Sequence, residues 1–275
     1  MGNSATTIDE VLLRLSTIIK ESQQSGDRCG FFAALYYRVT ASVKEGIMKG
    51  QFEDGKRMER LDVLFANRYL DALATWKAGG ETTASWIIAF EACQRRSVLV
   101  LQHLLLGISA HINLDLGIAA VETMRERAAG MEGSAALEPI EKDFDSINTI
   151  LGAMTYEVIG QINRLSPLLS LIGKHSKDTE SVLVQFSMTN ARDGAWCFAE
   201  DLFKLSGEGY TAAIADRDKS IAKLGHTLVH FRAMLRLTVW VIHLFECKRP
   251  QRIIKVLQEK RSFIHVSGAN AAAVI

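Results

Sequence analysis

The chain has 275 residues, 48% of them hydrophobic and 23% charged, which is enough apolar material for a sizeable core and argues against a disordered chain. Lys plus Arg (32) nearly balance Asp plus Glu (31), so net charge implies neither nucleic acid nor a strongly acidic partner. Cys29, Cys93, Cys197 and Cys247 form no C-x-x-C pair, and the N-terminus lacks a basic-then-apolar leader, so free thiols in a cytoplasmic setting are expected.

In chain order, Met1 to Thr6 fits the M-G-x-x-x-[ST] acylation pattern, a short motif that also arises by chance. Thr7-Ile8-Asp9-Glu10 reads as a capping box opening a helix to about Ser22, with Ile8, Val11, Leu12, Leu15, Ile18 and Ile19 on one face. A second helix runs to about Met48 on Phe31, Leu35, Val39, Val43 and Ile47, and the stretch Gly50 to Gly55 breaks it. The third, Lys56 to Lys77, pairs an apolar stripe with Asp62, Asn67, Arg68, Tyr69 and Asp71. Asn67 and Asp71 share one flank, and Asp62, or Asn67 with Arg68, is placed to reach a buried site.

Gly79-Gly80 makes a turn, after which Thr82 or Thr83 caps a helix starting near Ala84. A single helix from there to Arg127 would be unusually long, so a kink or close crossing is expected at Gly107, or else two consecutive helices. The loop Gly130 to Ala136 follows. A helix from Glu138-Pro139 to about Ile162, a short one from Ser166-Pro167 to Gly173, one from Asp178 to Leu205 and a long one from Ala212 to Phe245 complete the helical part. Arg192, Trp196 and Glu200 recur every four residues, which suggests an Arg192–Glu200 network or a role for Arg192 at the site. His226 and His230 stand one turn apart, the spacing of a helical two-histidine metal pair. Pro250 is expected to end the last long helix, and the basic residues to Arg261 read as a solvated face because no aromatic platform interleaves them.

The stretch Ser97 to Val121 is apolar on every side yet carries His103, His111, Asn113 and Asp115. At about 25 residues it is long enough to span a bilayer, but those polar groups and Gln102 would then sit in hydrocarbon, so a buried core helix is expected and no transmembrane segment. Strand periodicity, phosphate-binding glycine loops, nucleophile elbows and paired cysteine ligands are all absent from the sequence. The predicted fold is all-α: a bundle of about eight helices around this buried central helix. Residues 1–275 read as one domain with halves 1–130 and 137–261 and an apolar tail, 262–275, that suits docking or homo-oligomer formation.

His111 and Asp115 lie one turn apart and face the same way, while Asn113 points about 200° from His111. Two chemistries fit this pair. Asp115 can orient His111 as a general base, with Asp62 and Arg192 as further catalytic candidates. Alternatively His103, His111 and Asp115 ligate a divalent metal, Zn or Fe, with Glu91, Asp62 or the His226/His230 pair as additional donors.

Two resemblances attach to these residues. FANRYLDAL (Phe65 to Leu73) and VLQHLLLGISAHINLDLGIA (Val100 to Ala119) resemble an uncharacterised all-helical domain of unknown function, over about Phe31 to Arg249. That likeness implies fold and site position and carries no activity. Leu106-Gly107, His111 and Asp115 also resemble the L-G-x-x-x-H-x-x-x-D segment of zinc-dependent phospholipase C and nuclease helices, whose pattern implies metal ligation. Val121 stands where that pattern has its next histidine, and no tryptophan lies near the N-terminus, so the three-zinc cluster does not transfer whole.

Two classes of function follow. One is an enzyme acting on a small, largely apolar molecule in an inter-helical pocket, possibilities including a hydrolase. The other is a non-catalytic helical ligand-binding or scaffold protein in which the same residues fix packing.

Overall fold

The computed structural model describes residues 4–128, 138–169, 188–230 and 233–259. Among them the chain is all-helical, with no strand: α1 (Ile8–Ser25), α2 (Gly30–Met48), α3 (Gly55–Lys77), α4 (Ala84–Gln94), α5 (Val100–Ala110), a π-helical turn (His111–Asp115), α6 (Leu116–Ala128), α7 (Glu138–Leu165), α8 (Met188–Phe203), α9 (Gly207–Val229), α10 (Ala233–Phe245) and α11 (Pro250–Gln258). The expected loop Gly130 to Ala136, the end of the short helix at Gly173, the start of the helix at Asp178 and the tail 262–275 lie outside the described residues.

Among the described residues eleven α-helices stand where about eight were expected from periodicity alone, because two long apolar runs are interrupted and Pro250 opens a further helix. The first interruption falls at 95–99, before Val100, and not at Gly107. Gly107 marks the expected close crossing: a Cβ there would lie 2.6 Å from Phe32 Cδ2, so only glycine lets α5 approach α2 this closely. The second lies beyond Val229, where α9 stops and α10 begins at Ala233. Pro250 opens a helix rather than ending one. It sits in the first turn of α11, where its missing N–H costs nothing, and Ile253, Ile254, Val256 and Leu257 form that helix's buried face.

Helix N-termini are closed by local caps and, at α4 and α5, by carboxylates distant in sequence. Thr7 caps α1 as expected, its hydroxyl accepting from Glu10 N–H at 3.2 Å, but the Glu10 carboxylate reaches one residue further back, to Thr6 N–H at 2.7 Å. Neither expected threonine caps α4 with its side chain. Asp218 of α9 does so, accepting from Ala84 N–H at 2.7 Å and from Ser85 N–H at 3.0 Å. Glu246, just past α10, accepts from Val100 N–H at the start of α5. Asp143 of α7 accepts from Glu53 and Asp54 N–H ahead of α3. A carboxylate aimed at free N–H groups and the positive end of a helix satisfies both, and here it also joins elements that no local signal would connect.

The segment Val100–Ala128 packs against α2, α3, α4, α7, α8 and α9. It is long and apolar enough to cross a membrane, and 83% of its most apolar window is buried inside the protein. Midway it passes through the π turn, whose signature is Leu116 N–H donating to His111 O, five residues back. Arg217 of α9 steadies this turn, donating through Nε to the Asn113 carbonyl at 3.0 Å. On the next turn Gly117 lets α8 close in, since a Cβ there would meet Phe198 at 2.8 Å.

Two glycine substitutions test this packing in opposite directions. Gly107→Ala is expected to lower stability in urea denaturation by about 1–3 kcal/mol through overpacking against Phe32. Gly160→Ala, where an added Cβ meets nothing within 4 Å in α7, is expected to raise it by roughly 0.5–1 kcal/mol.

Candidate functional site

The π turn places His111 and Asp115 where α2, α3 and α4 meet, and Asp115 is the best-satisfied group there. Its Oδ2 accepts from His111 Nδ1 at 3.0 Å and from Trp86 Nε1 of α4 at 2.9 Å; its Oδ1 accepts from Arg68 Nε of α3 at 3.0 Å. Asp115 is 1% exposed and the Arg68 side chain 27%, so a buried carboxylate is joined to a cation that reaches solvent. A carboxylate engaged as an acceptor on this side fixes the His111 proton on Nδ1 and leaves Nε2 as the bare, basic nitrogen.

The His111 ring lies in an aromatic enclosure. Phe65 stacks on it with ring centroids 3.6 Å apart, and Tyr36 meets it edge-on at 4.5 Å. Phe32, Tyr69 and Trp86 complete the surround at 5.7, 6.1 and 6.0 Å. Burial pushes the imidazole below its usual range and outweighs the opposing pull of Asp115, so the ring is held neutral. Among the described residues, His111 Nε2 has no hydrogen-bond partner.

Other polar atoms in the same region share that state. Asp62 Oδ2 is buried and unpartnered, and burial, helped by the nearby Glu59 charge, lifts the Asp62 carboxyl to about 8. The Tyr69 hydroxyl is likewise buried without a partner, and the Tyr36 hydroxyl lies near Thr40 without a formed hydrogen bond. Burial drives both phenols upward, and at Tyr36 the Asp62 charge adds to the effect. Asp62, Phe65 and Tyr69 fall on one face of α3 by their spacing. A neutral imidazole thus coexists with a carboxyl that keeps its proton near neutral pH, where in water the carboxyl would be ionised.

The structure separates the other candidates from this pair. His103 is buried edge-on against Phe31 at 5.5 Å, near the Val98 carbonyl without a formed hydrogen bond. Burial, with the Arg28 charge adding to it, takes His103 down to about 3. Arg192 joins neither the pair nor Glu200. Its Nε donates to Asn148 Oδ1 at 2.6 Å, its Nη2 donates to the Phe144 carbonyl, and its guanidinium lies 4.3 Å over the Phe144 ring, fastening α8 to α7. The Arg192–Glu200 expectation fails because α7 offers acceptors at the buried end of the guanidinium, whereas Glu200 is exposed.

Asn67 faces the N-terminal segment, exchanging two hydrogen bonds with the Ala5 backbone, and it is Arg68 that reaches the site. Glu91 is a surface residue beside Arg95. His226 and His230 are both exposed at the end of α9, with ring centroids 6.0 Å apart and His230 Nδ1 3.2 Å from the His226 carbonyl. Among the described residues no group of three or more His, Cys, Asp or Glu side chains is arranged to hold a metal ion, so His103, His111 and Asp115 do not form a ligand set for Zn or Fe.

Trp86, Tyr36 and Phe65 are the site residues that sequence reasoning did not assign. The available signal was aromatic spacing: Phe32 with Tyr36, and Phe65 with Tyr69, each recur one helical turn apart.

An all-helical protein with a buried His111–Asp115 pair, reached from the rim by Arg68, is therefore the class that fold and site define. Residues 8–231 match the family described as "Family of unknown function (DUF5995)", and the chain belongs to that family. No curated protein and no solved structure matches the chain.

The Asp62 proton gives a measurable slope. The folded carboxyl titrates near pH 8 and the unfolded one near its ordinary 3.8, so between those values the folded state binds the extra proton and stability falls as pH rises. Asp62→Asn removes this dependence. The stability difference between variant and wild type is expected to shift in the variant's favour by roughly 1 kcal/mol per pH unit from about pH 4 to 8 and then level off. Parallel urea-denaturation profiles would contradict the buried, protonated Asp62.

Proposed function

We propose that the chain is an enzyme acting on a small, largely apolar molecule admitted between α2, α3 and the π turn, with His111 Nε2 as general base. The observation carrying this reading is the unpartnered Nε2 of a neutral, fully buried imidazole whose other nitrogen is anchored by Asp115. Buried polar groups are nearly always hydrogen-bonded, so an orphaned nitrogen on this ring favours a ligand that supplies the missing partner. In this scheme His111 accepts a proton from the bound molecule, and Asp115, backed by Arg68, stabilises the imidazolium that forms. The protonated Asp62 carboxyl serves as hydrogen-bond donor or acid.

The reading uses His111 and Asp115 as base and orienting group rather than as ligands to a divalent metal. It leaves Arg192 and His103 as packing residues. We further read residues 1–275 as a single domain, a bundle organised around Val100–Ala128, in the cytoplasm and without a nucleic-acid partner. Exposed Leu237, Trp240 and Leu244 of α10 are where a homo-oligomer contact would form.

A second reading is favoured by the saturation of Asp115, whose three donors come from α3, α4 and the π turn. In it the His111–Asp115 pair only fixes helix register, and the chain is a non-catalytic scaffold or binding protein.

The two readings separate when untagged wild type and His111→Asn are each incubated with a hydrophobic metabolite extract and consumption is followed by mass spectrometry. The enzyme reading predicts that wild type consumes a small apolar species and that folded His111→Asn does not, with a loss of 10²-fold or more. No consumption by wild type, together with destabilisation of His111→Asn by several kcal/mol, overturns it in favour of the scaffold.

A further inference from the structure

A cleft of about 530 Å³ opens away from the His111 region, where the end of α1, the start of α2 and the start of α5 face α10 and α11. Such a volume suits a small organic ligand. Its walls carry three cations, Arg28, Arg96 and Lys248, against a single carboxylate, Glu246. That carboxylate is already engaged: it accepts from Val100 N–H at 3.1 Å and from the Ser166 hydroxyl. Among the described residues neither Arg28 nor Arg96 has an ion-pair partner; Arg28 Nη1 donates to the Cys93 carbonyl at 3.1 Å. Lys248 donates to the His243 carbonyl, and the buried Nδ1 of His243, on the same wall, has no partner.

Positive charge is therefore left uncompensated in a concave, partly apolar site, which focuses potential onto whatever enters. Phe31 and Ile253 supply the apolar part of the wall. Arg28, Phe31 and Arg96 lie within the residues matched by the family, whereas His243, Lys248 and Ile253 lie beyond them, so the cleft is completed by this chain's own C-terminal helices.

We propose that this cleft is a binding site for a free amphiphilic organic anion, its carboxylate or phosphate held by Arg28, Arg96 and Lys248 and its apolar part lying against Phe31 and Ile253. Unpaired guanidinium groups match the planar geometry of such oxyanions. The site is independent of the catalytic reading of His111.

Calorimetric titration of the full chain with decanoate, with decanol as the uncharged control, tests the assignment. Decanoate is expected to bind and decanol to bind at least tenfold more weakly. Arg96→Gln and Lys248→Gln should each weaken decanoate about tenfold, and their combination by more than either alone. Both residues are exposed, so the variants are expected to fold. His243 side-chain resonances should shift during the titration, while His111→Asn and Asp62→Asn, checked for folding by circular dichroism, should bind decanoate as wild type does. Equal affinity for decanol, unchanged affinity in the double variant, or loss of binding in folded His111→Asn overturns the proposal. So does a wild type that binds no decanoate, including one that sediments only with phosphatidylglycerol vesicles.

Discussion

Burial of the Asp115 carboxylate is the constraint on which the centre of this protein depends. An ionised carboxylate in an apolar interior is costly unless donors surround it, and the donors come from α3, α4 and the π turn at once. Helix register and the approach of α3 to α4 are thus tied to one side chain. The π turn contributes by placing His111 and Asp115 against the same partners while the Asn113 carbonyl is held by Arg217 of α9.

The contrast between saturated and unsaturated groups distinguishes the core from the site within it. Asp218, Glu246 and Asp143 close helix ends, and Arg38 in α2 is tied to Glu157 and to Gln161 Oε1 at 2.9 Å. These networks explain how a largely helical core carries buried charge. His111 Nε2, Asp62 Oδ2 and the Tyr69 hydroxyl follow a different rule: each is buried without a partner, and the His111 ring is enclosed by aromatic side chains. Groups in that state cost stability, and an unpartnered nitrogen on so enclosed an imidazole gives the functional reading its physical basis.

Much of this was legible in the sequence. Apolar periodicity and capping residues marked α1, α2 and α3 to within a few residues, and the four-residue spacing of His111 and Asp115 announced their contact. What local pattern could not supply was the identity of long-range partners. Asp218 looks like an ordinary polar residue of α9 until it caps α4, and Arg192 shares a helical flank with Glu200 but turns to α7. The phospholipase-like segment at Leu106 to Asp115 does bring His111 and Asp115 together, and Val121 stands where that pattern has its next histidine. Interruptions of long apolar runs were also hidden, because breaks near Arg95 and beyond Val229 carry no proline or glycine at the break itself.

The central claim is that His111 is a neutral imidazole with its proton on Nδ1 and a free Nε2. Nitrogen-15 NMR of histidine-labelled protein, with His111 assigned by comparison with His111→Asn, tests it directly. At pH 7 a protonated Nδ1 and an unprotonated, pyridine-like Nε2 are expected; protonation at both nitrogens, or at Nε2 alone, would rule out His111 as the anchored base.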